Sequence, residues 1–146
     1  MLKLVKQKDE YGCVPACIAT LANISYEKAK KILHPRSHKW NDIGVQEKIT
    51  FKALTKLGFK YRDRKWIISI KEIRNNSIIV VDHSVYGDGA HAVIWDSKKQ
   101  KVLDPYVCKT RSLKKSLTTK RYDEAAICIY EILSRKYNNL SNSPKK

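Results

Sequence analysis

Residues 7–17 decide the fold: they read Gln7-Lys-Asp-Glu-Tyr-Gly-Cys13-Val-Pro-Ala-Cys17 and run directly into an apolar helical pattern. From Cys13 onward, apolar residues recur at positions 14, 17, 18 and 21, which is the spacing of one helix face. Pro15 belongs in the first turn of such a helix, because the first amides of a helix have no partner within it. We therefore predict that a helix begins at residue 12 or 13 and ends near Asn23.

Two more helices are predicted before the pattern changes. Ser25 is a typical N-cap residue for the second helix, in which Glu27 and Lys31 are spaced for an i,i+4 ion pair. Apolar residues then recur every four positions from Val45 to Leu57, and Gly58, which follows them, is the usual residue type just after a helix. This pattern predicts the third helix.

Beyond Gly58, short runs of β-branched and aromatic residues alternate with polar turns, which is typical of strands. The predicted strands are 59–61, 66–70, 78–82, 90–96 and 101–103. Residues 78–81 and 92–95 are continuously apolar and suit strands covered on both faces, so the centre of the sheet is predicted near His91. Residues 125–132 fit either a strand or a helix.

Helices first and strands second predict an α+β fold in which amino-terminal helices pack on an antiparallel sheet. The length of 146 residues suits a single domain. We assign this domain to residues 1–137 and predict that the polar and basic residues 138–146 form a disordered tail.

The cellular location is predicted from the absence of targeting patterns in this sequence. No apolar run reaches the ~20 residues that a membrane-spanning helix needs. Charged residues recur from the third position onward and leave no room for the apolar part of a secretory signal. The sequence therefore predicts a cytoplasmic protein without a membrane span.

The chain is strongly basic, with 30 Lys and Arg against 14 Asp and Glu, a net charge of +16. Such a charge favours nucleic acid, anionic membranes or acidic proteins as partners. The densest basic stretch, Lys109–Arg121, contains no acid and is the candidate contact for nucleic acid or an acidic partner. The alternative is an ordinary solvated surface, and no nucleic-acid-binding motif accompanies it.

Cys13 is the candidate nucleophile among four cysteines. Thiols stay reduced in the cytoplasm, and the cysteine spacing fits no zinc site, so we predict no disulfide, metal or cofactor. A helix N-terminus and a nearby imidazolium both stabilise a thiolate, and Cys13 sits at a helix start. Cys17, one turn later on the apolar face, is predicted to be buried and inert. A small core residue is the alternative for Cys13.

Three residues elsewhere in the chain are candidates to assist this thiol. His91 follows a glycine-containing loop and begins an apolar strand, where a base would be held rigidly. Asp104 ends the next strand, so its carboxylate could orient His91 and stabilise the imidazolium; an ordinary Asp-Pro turn is the alternative. Gln7 could donate to an oxyanion beside the Cys13 amide, or be a surface glutamine. The other histidines, at 34, 38 and 83, are predicted to be structural or unimportant.

The spacing of these residues resembles that of the bacteriocin-processing peptidases, the papain-like cysteine proteases of ABC transporters that cut leader peptides after a double glycine. The matching blocks are Gln7–Cys17, His91–Trp95 and Leu103–Pro105. That family also has Gln six residues before the nucleophile and often a second Cys four residues after it. The resemblance implies a papain-like fold, with Cys13 as nucleophile, His91 as general base and acid, Asp104 as orienting group and Gln7 in the oxyanion hole.

Two departures from the family pattern concern the substrate. Val14 and Pro15 follow the nucleophile where the family usually has Gly first, and no transporter segment follows in this sequence. The first hypothesis is therefore a stand-alone cysteine peptidase for peptides or proteins, with leader peptides as candidates and a transporter in trans left open. The second is an amidase, deamidase or acyltransferase using the same site. The third is a catalytically silent basic binding module.

Overall fold

The computed structural model describes residues 2–8, 12–33, 47–63, 70–81, 91–105 and 126–136. The α-helices in these ranges are α1 (Cys13–Ala22), α2 (Tyr26–Leu33) and α3 (Glu47–Lys56). The strands are β1 (Phe59–Asp63), β2 (Ser77–Val81), β3 (His91–Asp96), β4 (Lys101–Leu103) and β5 (Ala126–Arg135). A short 3-10 helix spans Ile70–Glu72. The predicted α+β class is confirmed.

The five strands form one antiparallel sheet in the order β1-β5-β2-β3-β4. β5 is the strand that the sequence left undecided, and it lies between β1 and β2 with a register irregularity against each. β2 is the central strand, and β3 is its neighbour on the side away from β5. The predicted strand 66–70 is wrong at Ile70, which begins the 3-10 helix, where its carbonyl accepts a hydrogen bond from the Ile73 amide at 3.0 Å and its side chain is fully buried. Residues 66–69 lie outside the described residues.

Helix α1 is buried on nearly all sides and begins and ends where the sequence predicts. Gly12 is its N-cap residue and supplies no side-chain hydrogen bond. Asn23 ends the helix in the left-handed conformation, with φ of 56°, and its amide donates to the Ala19 carbonyl. A helix that is apolar all round belongs in the interior. Its buried residues are Val14, Pro15, Ala16, Cys17, Ile18, Ala19, Thr20 and Ala22.

Helix α2 has the predicted cap but a different ion pair. Ser25 Oγ accepts a hydrogen bond from the Lys28 amide at 3.1 Å, which confirms it as the N-cap residue. Glu27 pairs with Lys8, and not with Lys31 as predicted, because segment 2–8 passes over this helix. The Lys8 ammonium also lies 5.9 Å from the ring centre of Tyr26. Segment 2–8 is thus tied to α2 from outside.

Two residues join the ends of the helices to the sheet. Gly58 has φ of +83°, and a Cβ there would lie 1.9 Å from the Lys136 carbonyl oxygen, so the predicted glycine after α3 is required. Arg135 donates to the carbonyls of Ala22 and Leu57 at 3.0 and 3.2 Å. A guanidinium at the carbonyl ends of α1 and α3 complements both helix dipoles.

The sheet is covered on both faces near its centre, as the continuously apolar strands predict. Ile78 and Ile94 are paired across β2 and β3 and belong to the core cluster that includes Ile18 of α1. The next pair, Ile79 with Val93, points to the opposite face and is also fully buried. No helix in the described part of the chain is long and apolar enough to cross a membrane.

Candidate active site

Cys13 is the first residue of α1 and is partly exposed. The N-terminus of this ten-residue helix has no side-chain cap, and Pro15 contributes no amide hydrogen. The first peptide amides therefore concentrate the positive end of the helix dipole beside the Cys13 sulfur. A negatively charged sulfur or oxygen is stabilised at such a position.

His91 and Asp104 meet at the end of the sheet near Cys13. His91 begins β3 and Asp104 directly follows β4, and these are antiparallel neighbours, so both residues lie at the same end of the strand pair. His91 Nε2 lies 2.8 Å from Asp104 Oδ1, and both side chains are buried. The structure thus brings together two residues that are thirteen positions apart.

The other side of the imidazole faces Cys13. Burial alone would lower the pKa of His91, but its hydrogen bonds with Asp104 and Cys13 and the charges of both groups outweigh burial and raise that pKa from 6.5 to about 9. Because Nε2 bonds Asp104, Nδ1 is the nitrogen left for Cys13. At neutral pH the imidazole therefore carries a proton between a sulfur and a carboxylate.

Cys17 lies one helical turn beyond Cys13 and is fully buried, as predicted. Burial raises the pKa of its thiol well above the usual value, and the negative charges of Cys13 and Asp104 raise it further. Cys17 is therefore a protonated packing residue at neutral pH. The two cysteines of α1 have opposite environments despite their close spacing.

Gln7 is a buried residue, with only 6% of its surface exposed, so the surface-glutamine alternative is excluded. Its backbone amide donates to the carbonyl oxygen of Pro105 at 3.1 Å, and Pro105 is the residue after Asp104. Gln7 is thus fixed beside the carboxylate end of the His91–Asp104 pair. Segment 2–8 brings it there from the side of α1 and α2.

Sequence reasoning missed the residue that ties segment 2–8 to the nucleophile helix. Thr20 Oγ1 accepts a hydrogen bond from the Val5 amide at 3.0 Å. The available signal was a single hydroxyl residue inside the otherwise apolar run 14–22. Its partner could not be found from spacing, because it lies fifteen residues away in a segment without regular structure.

Several other predicted features fall outside the described residues. These are the three remaining histidines, the basic stretch Lys109–Arg121 and the tail 138–146. Within the described ranges, no group of three or more His, Cys, Asp and Glu side chains is arranged to hold a metal ion. The described site brings together a thiol, an imidazole and a carboxylate.

No protein-family model and no curated protein matches the chain, but solved structures do. The peptidase domain of Streptococcus ComA, a bi-functional ABC transporter involved in a quorum-sensing pathway, matches with a TM-score of 0.65 and 20% identity, over 93% of this chain and 100% of that one. A double glycine motif protease from an AMS/PCAT transporter, in complex with its leader peptide, matches with a TM-score of 0.62 and 14% identity, over 91% and 93%. The chain therefore has the papain-like fold of these peptidase domains, as the motif resemblance implied.

Proposed function

We propose that this protein is a cysteine peptidase in which Cys13 is the nucleophile and His91 the general base and acid. The observation that carries the proposal is the continuous contact from Cys13 through His91 to Asp104, at the start of a buried helix. In this proposal Asp104 orients the imidazole and Gln7 contributes to the oxyanion hole. The fold shared with two peptidase domains supports it.

The first half of the proposed reaction forms a thioester. The Cys13 thiolate attacks the peptide carbonyl carbon, and the negative charge that develops on oxygen is held by the Cys13 amide and the Gln7 side-chain amide. His91 donates its Nδ1 proton to the nitrogen of the scissile bond, which then breaks. The carboxyl-terminal fragment leaves as an amine, and the other fragment stays on sulfur.

The second half restores the enzyme. Neutral His91 takes a proton from water as the water oxygen attacks the thioester, and the C–S bond breaks to release a carboxylic acid and the thiolate. Asp104 accepts a hydrogen bond from His91 Nε2 in both halves of the reaction. This hydrogen bond keeps Nδ1 directed at the sulfur and stabilises the imidazolium. The site ends in its starting protonation state.

Leader peptides are the proposed substrate class, because one structural neighbour was solved with its leader peptide bound. Val14 and Pro15 are both buried in the first turn of α1, next to the sulfur. Val14 belongs to the core cluster, so the residue that follows the nucleophile packs into the interior in this chain. The cytoplasmic location and a transporter partner in trans stay predictions.

Thiol alkylation tests the proposed nucleophile. Treatment with iodoacetamide at mildly acidic pH, followed by mass spectrometry of each cysteine, should label Cys13 first, because only a thiolate reacts quickly. His91→Ala should abolish that preference. Equal labelling of all four cysteines would contradict the proposal.

Product analysis separates the peptidase from its rivals. A new peptide amino terminus identifies a peptidase, whereas ammonia released without chain cleavage identifies an amidase or deamidase. A silent binding module would show salt-sensitive binding to an acidic partner that Cys13→Ala leaves unchanged. The peptidase proposal requires that Cys13→Ala abolish turnover.

A further inference from the structure

Segment 2–8 carries Gln7, yet it belongs to no helix or strand. Its position is therefore not fixed by the regular backbone hydrogen bonds of a sheet or helix, and it depends on individual contacts. Apolar side chains of the segment pack against the core while its lysines are exposed. The packed residues are Leu2, Leu4 and Val5.

Two backbone amides of the segment are anchored on different parts of the molecule. The Val5 amide donates to Thr20 Oγ1 on α1 at 3.0 Å, and the Gln7 amide donates to the Pro105 carbonyl after β4 at 3.1 Å. The two amides are two residues apart, and the second is the amide of Gln7 itself. The first hydrogen bond fixes the segment relative to α1, the helix that carries Cys13. The second fixes it relative to the end of β4, where Asp104 lies.

The Thr20 hydroxyl has defined donor and acceptor roles. Thr20 is buried, and its single hydroxyl hydrogen is donated to the Ala16 carbonyl at 2.8 Å, one turn back in α1. The oxygen lone pairs then accept from Val5. A back-bonded threonine adds nothing to helix stability, so the helix itself does not call for a hydroxyl at this position.

Helix geometry links this hydroxyl to the nucleophile. Cys13 and Thr20 are seven residues apart, which places them on one helix face about 10.5 Å from each other along the axis. At full extension, the two residues from Val5 to Gln7 would cover about 7 Å. The chain from Val5 to Gln7 is therefore long enough to cover most of the distance from Thr20 to Cys13, and the Gln7 bond to Pro105 places Gln7 at the Asp104 end of the site.

We propose that Thr20 is a positioning residue for Gln7: its buried hydroxyl holds segment 2–8 on α1 and thereby fixes Gln7 relative to Cys13. This inference rests on the proposed function, because it takes Gln7 as an oxyanion donor. Such a donor works only when its geometry is fixed before the charge develops. Thr20 provides that fixation from the same rigid helix that carries the sulfur.

Thr20→Val tests the proposal with a side chain of nearly the same shape and no hydroxyl. Losing a whole oxyanion donor costs about 10²–10³ in kcat, so loosening one should lower kcat by roughly 10- to 100-fold. KM should stay within about twofold, because the interaction belongs to the transition state. Alkylation of Cys13 should keep its wild-type rate, and Thr20→Ser should restore kcat. Thr50→Val, at another buried helical threonine, is the matched control and should leave kcat unchanged.

Val5→Pro tests the other end of the same hydrogen bond without altering α1, and it decides the matter if Thr20→Val does not fold. Proline removes the amide donor and keeps an apolar side chain at this position. Its kcat should fall as in Thr20→Val, and the double variant should fall no further. Hydrogen exchange at the Gln7 amide should be faster in both variants and slow again in Thr20→Ser.

Two failures are distinguishable. A wild-type protein that neither cleaves peptides nor shows selective Cys13 alkylation overturns the proposed function. An active wild-type protein whose Thr20→Val and Val5→Pro variants keep full kcat, or change only KM, overturns the positioning role of Thr20 and leaves the peptidase intact.

Discussion

Asp104 and Glu131 are both buried carboxylates of the sheet region, and their partners give them different properties. Asp104 is 1% exposed and forms a hydrogen bond with His91. His91 also forms a side-chain hydrogen bond with Cys13. Glu131 is 2% exposed and accepts from Arg62 Nε at 2.9 Å and from Asn75 Nδ2 at 3.0 Å. Burial is nearly equal, so it does not distinguish them.

The partners distinguish a reactive site from a structural one. A guanidinium stays protonated at every physiological pH, and an amide does not titrate, so neither Arg62 nor Asn75 can exchange a proton with Glu131. An imidazole and a thiol both exchange protons, so the Asp104 cluster can pass charge to a substrate. A buried carboxylate therefore indicates chemistry when its partner is itself a titratable group.

Asp104→Asn should produce the largest effect that separates the two carboxylates. An amide cannot hold the imidazolium or fix its tautomer, and replacing an orienting carboxylate in this way lowers kcat on the order of 10³–10⁴-fold. Peptide hydrolysis under saturating substrate measures this directly.

Glu131→Gln is the matched control at the second carboxylate. It should keep kcat within about twofold and lower the free energy of unfolding by about 1–2 kcal/mol, because a charged hydrogen bond is lost while Arg62, 53% exposed, can be solvated. Urea denaturation measures this change. Equal losses of kcat in both variants would show that the carboxylates act through the fold alone.

How much of the fold could be predicted depended on whether its cause is local. Pro15, Asn23 and Gly58 were placed correctly, because helix starts and ends follow from backbone conformation at single residues. Strand β5 was left undecided, since its pairing with β1 and β2 is set by distant residues. The apolar residue Ile70 was wrongly assigned to a strand because burial and strand formation give the same sequence signal there.

The site divides in the same way. The proximity of His91 and Asp104 could be predicted, because they lie at the same end of two consecutive antiparallel strands. The hydrogen bond between Thr20 and Val5 could not be predicted, because one partner is a backbone amide in an irregular segment. Sequence spacing identifies reacting groups more readily than the contacts that hold them.

The pH dependence of hydrolysis gives the next largest effect. The His91 imidazolium must donate a proton to the leaving amine, and its pKa is about 9, so kcat should fall tenfold per pH unit above about 9. Alkylation of Cys13 should not fall there, because the attack of sulfur on the reagent needs no proton from His91. In Asp104→Asn the alkaline limb should move to lower pH, because Asp104 raises the pKa of His91.

The free energy of unfolding should fall as His91 loses its proton at alkaline pH. A raised folded-state pKa stabilises the protein fully below the ordinary value of 6.5, and this contribution is lost as the pH rises through about 9. Glu131→Gln should retain this pH-dependent loss of stability. An alkaline limb unchanged in Asp104→Asn would contradict the coupling between Asp104 and His91.

Glu27 is an exposed carboxylate, and we expect the loss of its ion pair to have the smallest effect of the changes considered. It is fully exposed, and the hydrogen bond from Lys8 lowers its pKa. Lys8→Ala should return that pKa towards the ordinary value in an NMR titration, yet leave the melting temperature unchanged, because water and salt screen an exposed pair. Measuring kcat of Lys8→Ala tests whether the ion pair helps to position Gln7, the residue before Lys8.

The Val5 and Gln7 amides hold segment 2–8 without Lys8, so kcat of Lys8→Ala should equal that of the wild type. A fall in kcat would show that the exposed ion pair shares in positioning Gln7.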